Sequence, residues 1–168
     1  MKQIVIINGQ GGVGKDTFIE LLTDTKLKII NVSSVDGIKE LARMVGWNGA
    51  KEERDRKFLS DLKILTSNYC GFSEYYLINK AKEFLKSDSD LMFVHIREPL
   101  RIREFLNKFP EAKTLLIKRN DISSYGNMAD DGVFDFEYDY IIQNSGTIET
   151  LKTTGIEFLN TIGFNLKP

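Results

Sequence analysis

Nine residues, Gly9 to Thr17 (GQGGVGKDT), constrain this chain more than any other stretch. Before them, Lys2 to Asn8 (KQIVIIN) is a short apolar run rich in Ile and Val and bounded by Gly, the pattern of a buried strand. After them, Phe18 to Leu22 (FIELL) takes up helical spacing. Gly9, Gly14 and Lys15 complete Gly-x-x-x-x-Gly-Lys, set between a strand and a helix as a phosphate-binding loop requires.

Glycine permits the tight turns that bring backbone N–H groups close to phosphate oxygens. The candidate cradle is Gly9, Gly11, Gly12, Val13 and Gly14. A helix starting near Lys15 points its positive end at the same anion, and the Lys15 ammonium has the reach for β- and γ-phosphates. The next position usually offers a hydroxyl to Mg²⁺. Here it is Asp16, with Thr17 behind it, so the expected metal contact is a carboxylate, direct or through water.

At 168 residues the chain is expected to form one domain with a substantial core. With 42% hydrophobic residues and a net charge of −1, it has no basic excess to grip nucleic acid, so no nucleic-acid partner is expected. The single cysteine, Cys70, forms no internal disulfide; it reads as a small buried apolar residue and suits a reducing cytoplasm. The first apolar run stops at Asn8, too soon to cross a bilayer, and no membrane partner is expected. Nothing in the residues sets an oligomeric state.

Further along, Leu27–Val32 reads as a second strand, and Ser33 or Ser34 caps a helix over Val35–Val45. Asp36, Lys39 and Arg43 share one face of that helix at i, i+3 and i+7. Trp47 follows a break, either as a core plug, the favoured reading, or as a platform beside a substrate base. A longer helix spans Glu52–Asn68, with Phe58, Leu59, Leu62 and Leu65 as its apolar face and a charged start, KEERDRK. That charge reads by default as a solvated face, yet Arg54, Arg56 and Lys57 become acceptor candidates if the helical block covers the loop. Ser73 caps another helix through Lys86. Leu91–Ile96 is a third strand, followed by a helix from Pro99 that Pro110 closes. Ala112–Lys118 and Asp139–Gln143 are the remaining strands, separated by an acidic stretch without period, and a last helix covers Thr147–Ile162.

Five apolar strands alternating with helices argue for an α/β fold, a parallel sheet with helices on both faces. Ligands of such sheets lie at the strands' carboxyl ends. That edge gathers the loop, Ser33 to Asp36, His95 to Glu98, Arg119 and Asn144 to Gly146.

Taken together these residues resemble the P-loop nucleoside and nucleotide monophosphate kinases, with the nearest likeness to the deoxynucleoside monophosphate kinase group. GQGGVGKDT is similar to that group's loop, where Gly-Lys-Asp-Thr replaces Gly-Lys-Ser/Thr. HIREP at His95–Pro99 lies where the group has Asp-x-Arg, and DYIIQNSGTIETL at Asp139–Leu151 is similar to its last strand and the Asn-x-Gly loop beside the base. The resemblance implies a three-layer P-loop NTPase fold with a helical substrate-binding insert at about 35–86 and a lid at about 119–137. It implies transfer of the ATP γ-phosphoryl to a small phosphorylated acceptor, most simply a nucleoside monophosphate. Lys15, Arg97 and Arg119 would then serve the transfer, with Arg119 as transition-state arginine. Asn144 and Gly146 would border the nucleotide. Asp16 and Glu98 would place Mg²⁺. Ser34, Asp36, Lys39, Arg43, Arg54, Arg56, Lys57 and His95 would face the acceptor.

Two departures stand out. His95 replaces an acid that usually helps hold the metal's water shell; it either hydrogen-bonds a phosphate or is a satisfied strand-end histidine. The lid region carries Asp121, Asp130, Asp131, Asp135, Glu137 and Asp139, with only Arg119 at its edge. A nucleotide-dependent switch and a bare NTPase therefore stand as alternatives, whereas the lack of Asn-Lys-x-Asp disfavours a signalling GTPase.

Overall fold

The structure, a computed structural model, describes residues 1–119 and 132–166. Its strands are β1 (Gln3–Asn8), β2 (Ile29–Ser33), β3 (Leu91–His95), β4 (Lys113–Lys118) and β5 (Tyr140–Gln143). All pair in parallel in one five-stranded sheet of order β2-β3-β1-β4-β5. The helices among the described residues are α1 (Lys15–Leu22), α2 (Ser34–Met44), α3 (Glu53–Cys70), α4 (Phe72–Lys86), α5 (Pro99–Lys108) and α6 (Ile148–Thr161).

Alternation along the central strands builds two cores. Val5 and Ile7 on β1, with Phe93 on β3 and Leu115 and Ile117 on β4, pack against Phe18 and Leu22 of α1 and Phe158 and Leu159 of α6. Ile4 and Ile6, with Met92, Val94 and Leu116, face Leu77, Ala81 and Phe84 of α4 and Ile102 and Phe105 of α5. Burying each such side chain contributes about 1.5–3 kcal/mol, which is why the sheet's middle strands are its most secure part. The three-layer α/β architecture expected from the strand–helix alternation is therefore the observed one.

Several local expectations change. Gly71, at φ 63°, ends α3 and starts α4, so Ser73 lies inside the helix rather than capping it. On α3 only Asp55 is buried; Phe58 and Leu65 are exposed and Leu59 and Leu62 half-buried. The reason is placement: α3 packs against α2 and α4 rather than forming a core layer on the sheet. Cys70 is exposed, not buried. Trp47 is half-buried, donating from Nε1 to the Ala50 carbonyl at 3.1 Å, with the Arg43 guanidinium 5.4 Å from its ring centroid; it is no core plug. The apolar side chains of Leu85 on α4 and Ile148 on α6 are exposed.

Asp139 belongs to strand pairing rather than to a lid. Its carboxylate accepts from the Thr114 N–H at 2.8 Å and Oγ1 at 2.9 Å, while its own N–H donates to Thr114 Oγ1 at 2.8 Å. This closed pair fixes the register at which β5 joins β4. Of the other acids assigned to the lid, Asp121, Asp130 and Asp131 lie outside the described residues.

Candidate active site

The phosphate loop runs from the end of β1 into α1 with Gly9, Gly12 and Gly14 at positive φ. At Gly9 (φ 146°) a Cβ would run into the Ile117 carbonyl oxygen and the Val13 side chain, and at Gly14 (φ 93°) it would meet Asn144 Nδ2. The glycines are thus fixed by close approach as well as by backbone angle. Lys15 opens α1 and bends back over the loop, its Nζ 2.6 Å from the Gly9 carbonyl oxygen and 2.8 Å from that of Gln10. Asn144 reaches the loop from the end of β5, donating from Nδ2 to the Val13 carbonyl at 2.8 Å.

In front of the loop lies a cleft of about 980 Å³. Its near end is formed by Gly11, Gly12, Lys15 and Asp16, and its sheet edge by Asn8, Ser33, His95, Arg97 and Glu98. Ser34, Asp36 and Lys39 of α2 close one side. The far wall is Ser60, Lys63 and Ser67 of α3, Ser73 and Glu74 of α4, and Arg101 of α5. The structure therefore brings together Gly11, Gly12, Lys15, Asp16, Ser34, Asp36, Lys39, His95, Arg97 and Glu98 from the sequence expectations.

Others stand apart. Arg43 stacks on Trp47; Arg54 lies 3.6 Å from Glu52; Lys57 donates to Asp61 at 2.7 Å; Arg56 is exposed. None of these four lines the cleft. The charged start of α3 is the solvated face that composition alone would suggest, because one helical turn further on the chain presents Ser60, Lys63 and Ser67 inward instead. Arg119 follows β4, exposed and outside the cleft's lining, as are Thr17 on α1 and Gly146 beside Thr150.

Individual groups have clear physical partners. Ser33 and Asp36 form a capping box: the Ser33 N–H donates to Asp36 Oδ2 at 2.8 Å, and Ser33 Oγ accepts from Val35 N at 3.4 Å. Lys39 sits 3.7 Å from Asp36 Oδ1. Arg101 donates to Glu74 at 3.0 Å and to Glu104 at 2.7 Å, linking α5 to α4 across the far wall. His95 Nε2 donates to Asn31 Oδ1 at 2.8 Å and lies 3.9 Å from Asp16. Burial holds the imidazole below the ordinary histidine range; Asp16 and Asp36 pull upward, Lys15 and Arg97 downward. His95 is thus a satisfied strand-end histidine that also lines the cleft.

Asn8 was not foreseen. It is fully buried, accepting from the Gly9 N–H at 2.8 Å and donating to the Arg97 carbonyl at 3.0 Å and to the Tyr138 hydroxyl at 2.6 Å. Burial pushes the Tyr138 phenol up to about 12, and its hydroxyl donates to the Val133 carbonyl at 2.8 Å. A polar residue ending an apolar strand was the available signal. Lys63, Ser67, Glu74 and Arg101 carried no such signal, because their convergence depends on how α3 to α5 fold together.

The donors present suit a magnesium–triphosphate. Asp16 projects from the first turn of α1 at the mouth of the loop, 92% exposed, beside Lys15. Mg²⁺ is commonly held with nucleotides by one or two carboxylates plus phosphate oxygens and water.

No family model matches the sequence, and no curated protein matches it. Solved structures do. A dephospho-CoA kinase from Campylobacter jejuni superposes with TM-score 0.56 at 19% identity, covering 96% of this chain and 97% of that one. A tunicamycin resistance protein of Deinococcus radiodurans gives 0.59 at 13% identity, covering 100% and 99%. A shikimate kinase from Bacteroides thetaiotaomicron gives 0.52 at 16% identity, covering 94% and 98%. The chain has the P-loop kinase fold.

Proposed function

We propose that the protein transfers the γ-phosphoryl group of Mg-ATP to a small phosphorylated acceptor, in the first instance a nucleoside monophosphate. One observation carries this reading. One cleft is lined by the phosphate-loop residues Gly11, Gly12 and Lys15 together with Arg97, Lys63 of α3 and Arg101 of α5. In this reading the donor phosphates lie at the glycines, the acceptor at Lys63 and Arg101, and Arg97 is the cation where charge passes between them.

In this reading the loop amides and Lys15 hold the β- and γ-phosphates, which requires Nζ to leave the Gly9 and Gln10 carbonyls for the nucleotide. Asp16 would hold Mg²⁺, which would supply charge neutralisation on the phosphates. An acceptor oxygen bonds to the γ-phosphorus as the bond to the β–γ bridging oxygen breaks, leaving ADP. Arg97 neutralises the oxygens in transit. Positioning and charge neutralisation carry the rate in such transfers, since little covalent chemistry is asked of the protein. Arg101 exchanges Glu74 for the acceptor's anionic group, Lys63 adds a second cation, and Ser60, Ser67 and Ser73 supply neutral donors and acceptors. Asn144 acts on the nucleotide indirectly, by holding the Val13 carbonyl.

The test is a coupled assay with Mg-ATP across nucleoside monophosphates and other phosphorylated metabolites, on wild type and Lys15→Ala. Acceptor-dependent ADP release, absent in the variant, is expected. ATP hydrolysis indifferent to every acceptor would instead describe an NTPase.

A further inference from the structure

Most buried polar groups here serve one neighbour. Asn8 serves three. Its Oδ1 accepts from the first amide of the phosphate loop, Gly9, at 2.8 Å. Its Nδ2 donates to the Arg97 carbonyl at 3.0 Å and to the Tyr138 hydroxyl at 2.6 Å. Tyr138 passes the chain of bonds on to the Val133 carbonyl at 2.8 Å. Three segments far apart in sequence meet on one amide: the start of the loop, the connection between β3 and α5, and the stretch before β5.

Both side chains are buried, Asn8 completely. A buried amide that loses one bond bears the full desolvation cost of the freed group. Displacing the Arg97 backbone therefore strains the same side chain that fixes Gly9, and displacing Val133–Tyr138 strains both. The Thr114–Asp139 pair is equally closed, but it joins only two adjacent strands and reaches neither the loop nor Arg97.

We infer that Asn8 and Tyr138 are positioning residues that hold the phosphate loop and Arg97 in one rigid frame, so that donor phosphates and the charge-neutralising guanidinium keep a fixed separation. The inference rests on the kinase reading for its consequence, though not for its geometry. It adds a functional part for residues 133–138, which lie outside the cleft's lining. Preorganisation of this kind is what lets positioned charges act without reorganising during the reaction.

The experiment compares full-length wild type, Tyr138→Phe and Thr114→Val. Tyr138→Phe keeps the ring and removes only the hydroxyl. Its Mg-ATP dissociation constant, by calorimetry, should rise about tenfold, corresponding to 1.4 kcal/mol. Amide exchange should speed up together in peptides covering 6–15 and 95–99. Thr114→Val should lower the melting temperature while leaving both readouts unchanged. Equal effects of the two variants, or faster exchange at 133–138 alone, would overturn the inference and leave a scaffold bond. If wild type binds no Mg-ATP, the kinase reading fails, and the exchange pattern still decides the frame. Should Tyr138→Phe not fold, native-state exchange of wild type in low denaturant gives the answer: the hydrogen-bonded amides of Gly9, Ile102 and Asp135 must open at one common free energy, and separate openings would refute a shared frame.

Discussion

Asn144, the last residue before the turn into α6, holds the phosphate loop by its Val13 carbonyl, and its amide nitrogen fills the space a side chain on Gly14 would need. Loop and β5 edge are therefore shaped against each other. Asn144→Ala should lower stability by about 1–2 kcal/mol and weaken Mg-ATP binding, because a loop carbonyl loses its donor. Gly14→Ala should be worse for binding, since it adds a Cβ at φ 93° as well as displacing Asn144. Urea titration and calorimetry on the two variants would show this; wild-type affinity in Asn144→Ala would remove the link.

The far wall makes a prediction that separates it from the charged start of α3. Lys63→Ala and Arg101→Ala should each raise the acceptor KM by about tenfold or more, the scale of one charge-assisted hydrogen bond, with ATP binding intact. Arg54→Ala, Arg56→Ala and Lys57→Ala should leave acceptor KM within about twofold, since exposed ion pairs such as Lys57–Asp61 contribute little. The reverse ranking in steady-state kinetics would return the acceptor site to the first turns of α3.

His95 sets a pH window with a definite sign. Its folded-state pKa lies below the unfolded value, with burial as the main cause. The unfolded chain therefore binds a proton below about pH 6.5 that the folded chain declines. The contribution is fully present above that pH and is lost as pH falls toward the folded pKa. His95→Gln should flatten the acid side of the stability–pH curve relative to wild type. Parallel curves for the two proteins between pH 7 and 5 would show that His95 plays no part.

The Thr114–Asp139 pair predicts stability without function. Asp139→Ala should cost about 1–3 kcal/mol, because it removes the acceptor of both the Thr114 N–H and the Thr114 hydroxyl in the sheet. Mg-ATP affinity of the folded variant should not change. A drop in affinity comparable to that of Asn144→Ala would mean β5 and the loop are coupled through the whole strand.

Much of this protein was legible residue by residue. The loop is local: its glycines, Lys15 and flanking elements are contiguous, so sequence sufficed to find it. The strands were legible because Ile- and Val-rich runs buried on both faces look the same wherever they pair. Asp36 and Lys39 were legible because a capped helix leaving β2 at the carboxyl edge must point its first turns there. Arg54, Arg56 and Lys57 misled because helical periodicity says which residues share a face, not which way that face turns. Expecting α3 to bury Phe58 and Leu65 made its polar face look like surface, when that face lines the cleft.

The order of residues by itself determined the phosphate loop, the alternation of strand and helix, and hence the parallel sheet and its active edge. These follow from short-range rules: backbone freedom at glycine, the period of apolar side chains, and the handedness of the connections. Only the tertiary structure decided that Lys63 and Arg101 meet across a cleft, that Asn144 holds Val13, and that Asn8 joins Gly9, Arg97 and Tyr138. Each of those contacts joins residues far apart along the chain. Its existence depends on packing between elements, and no local pattern of residue types records that.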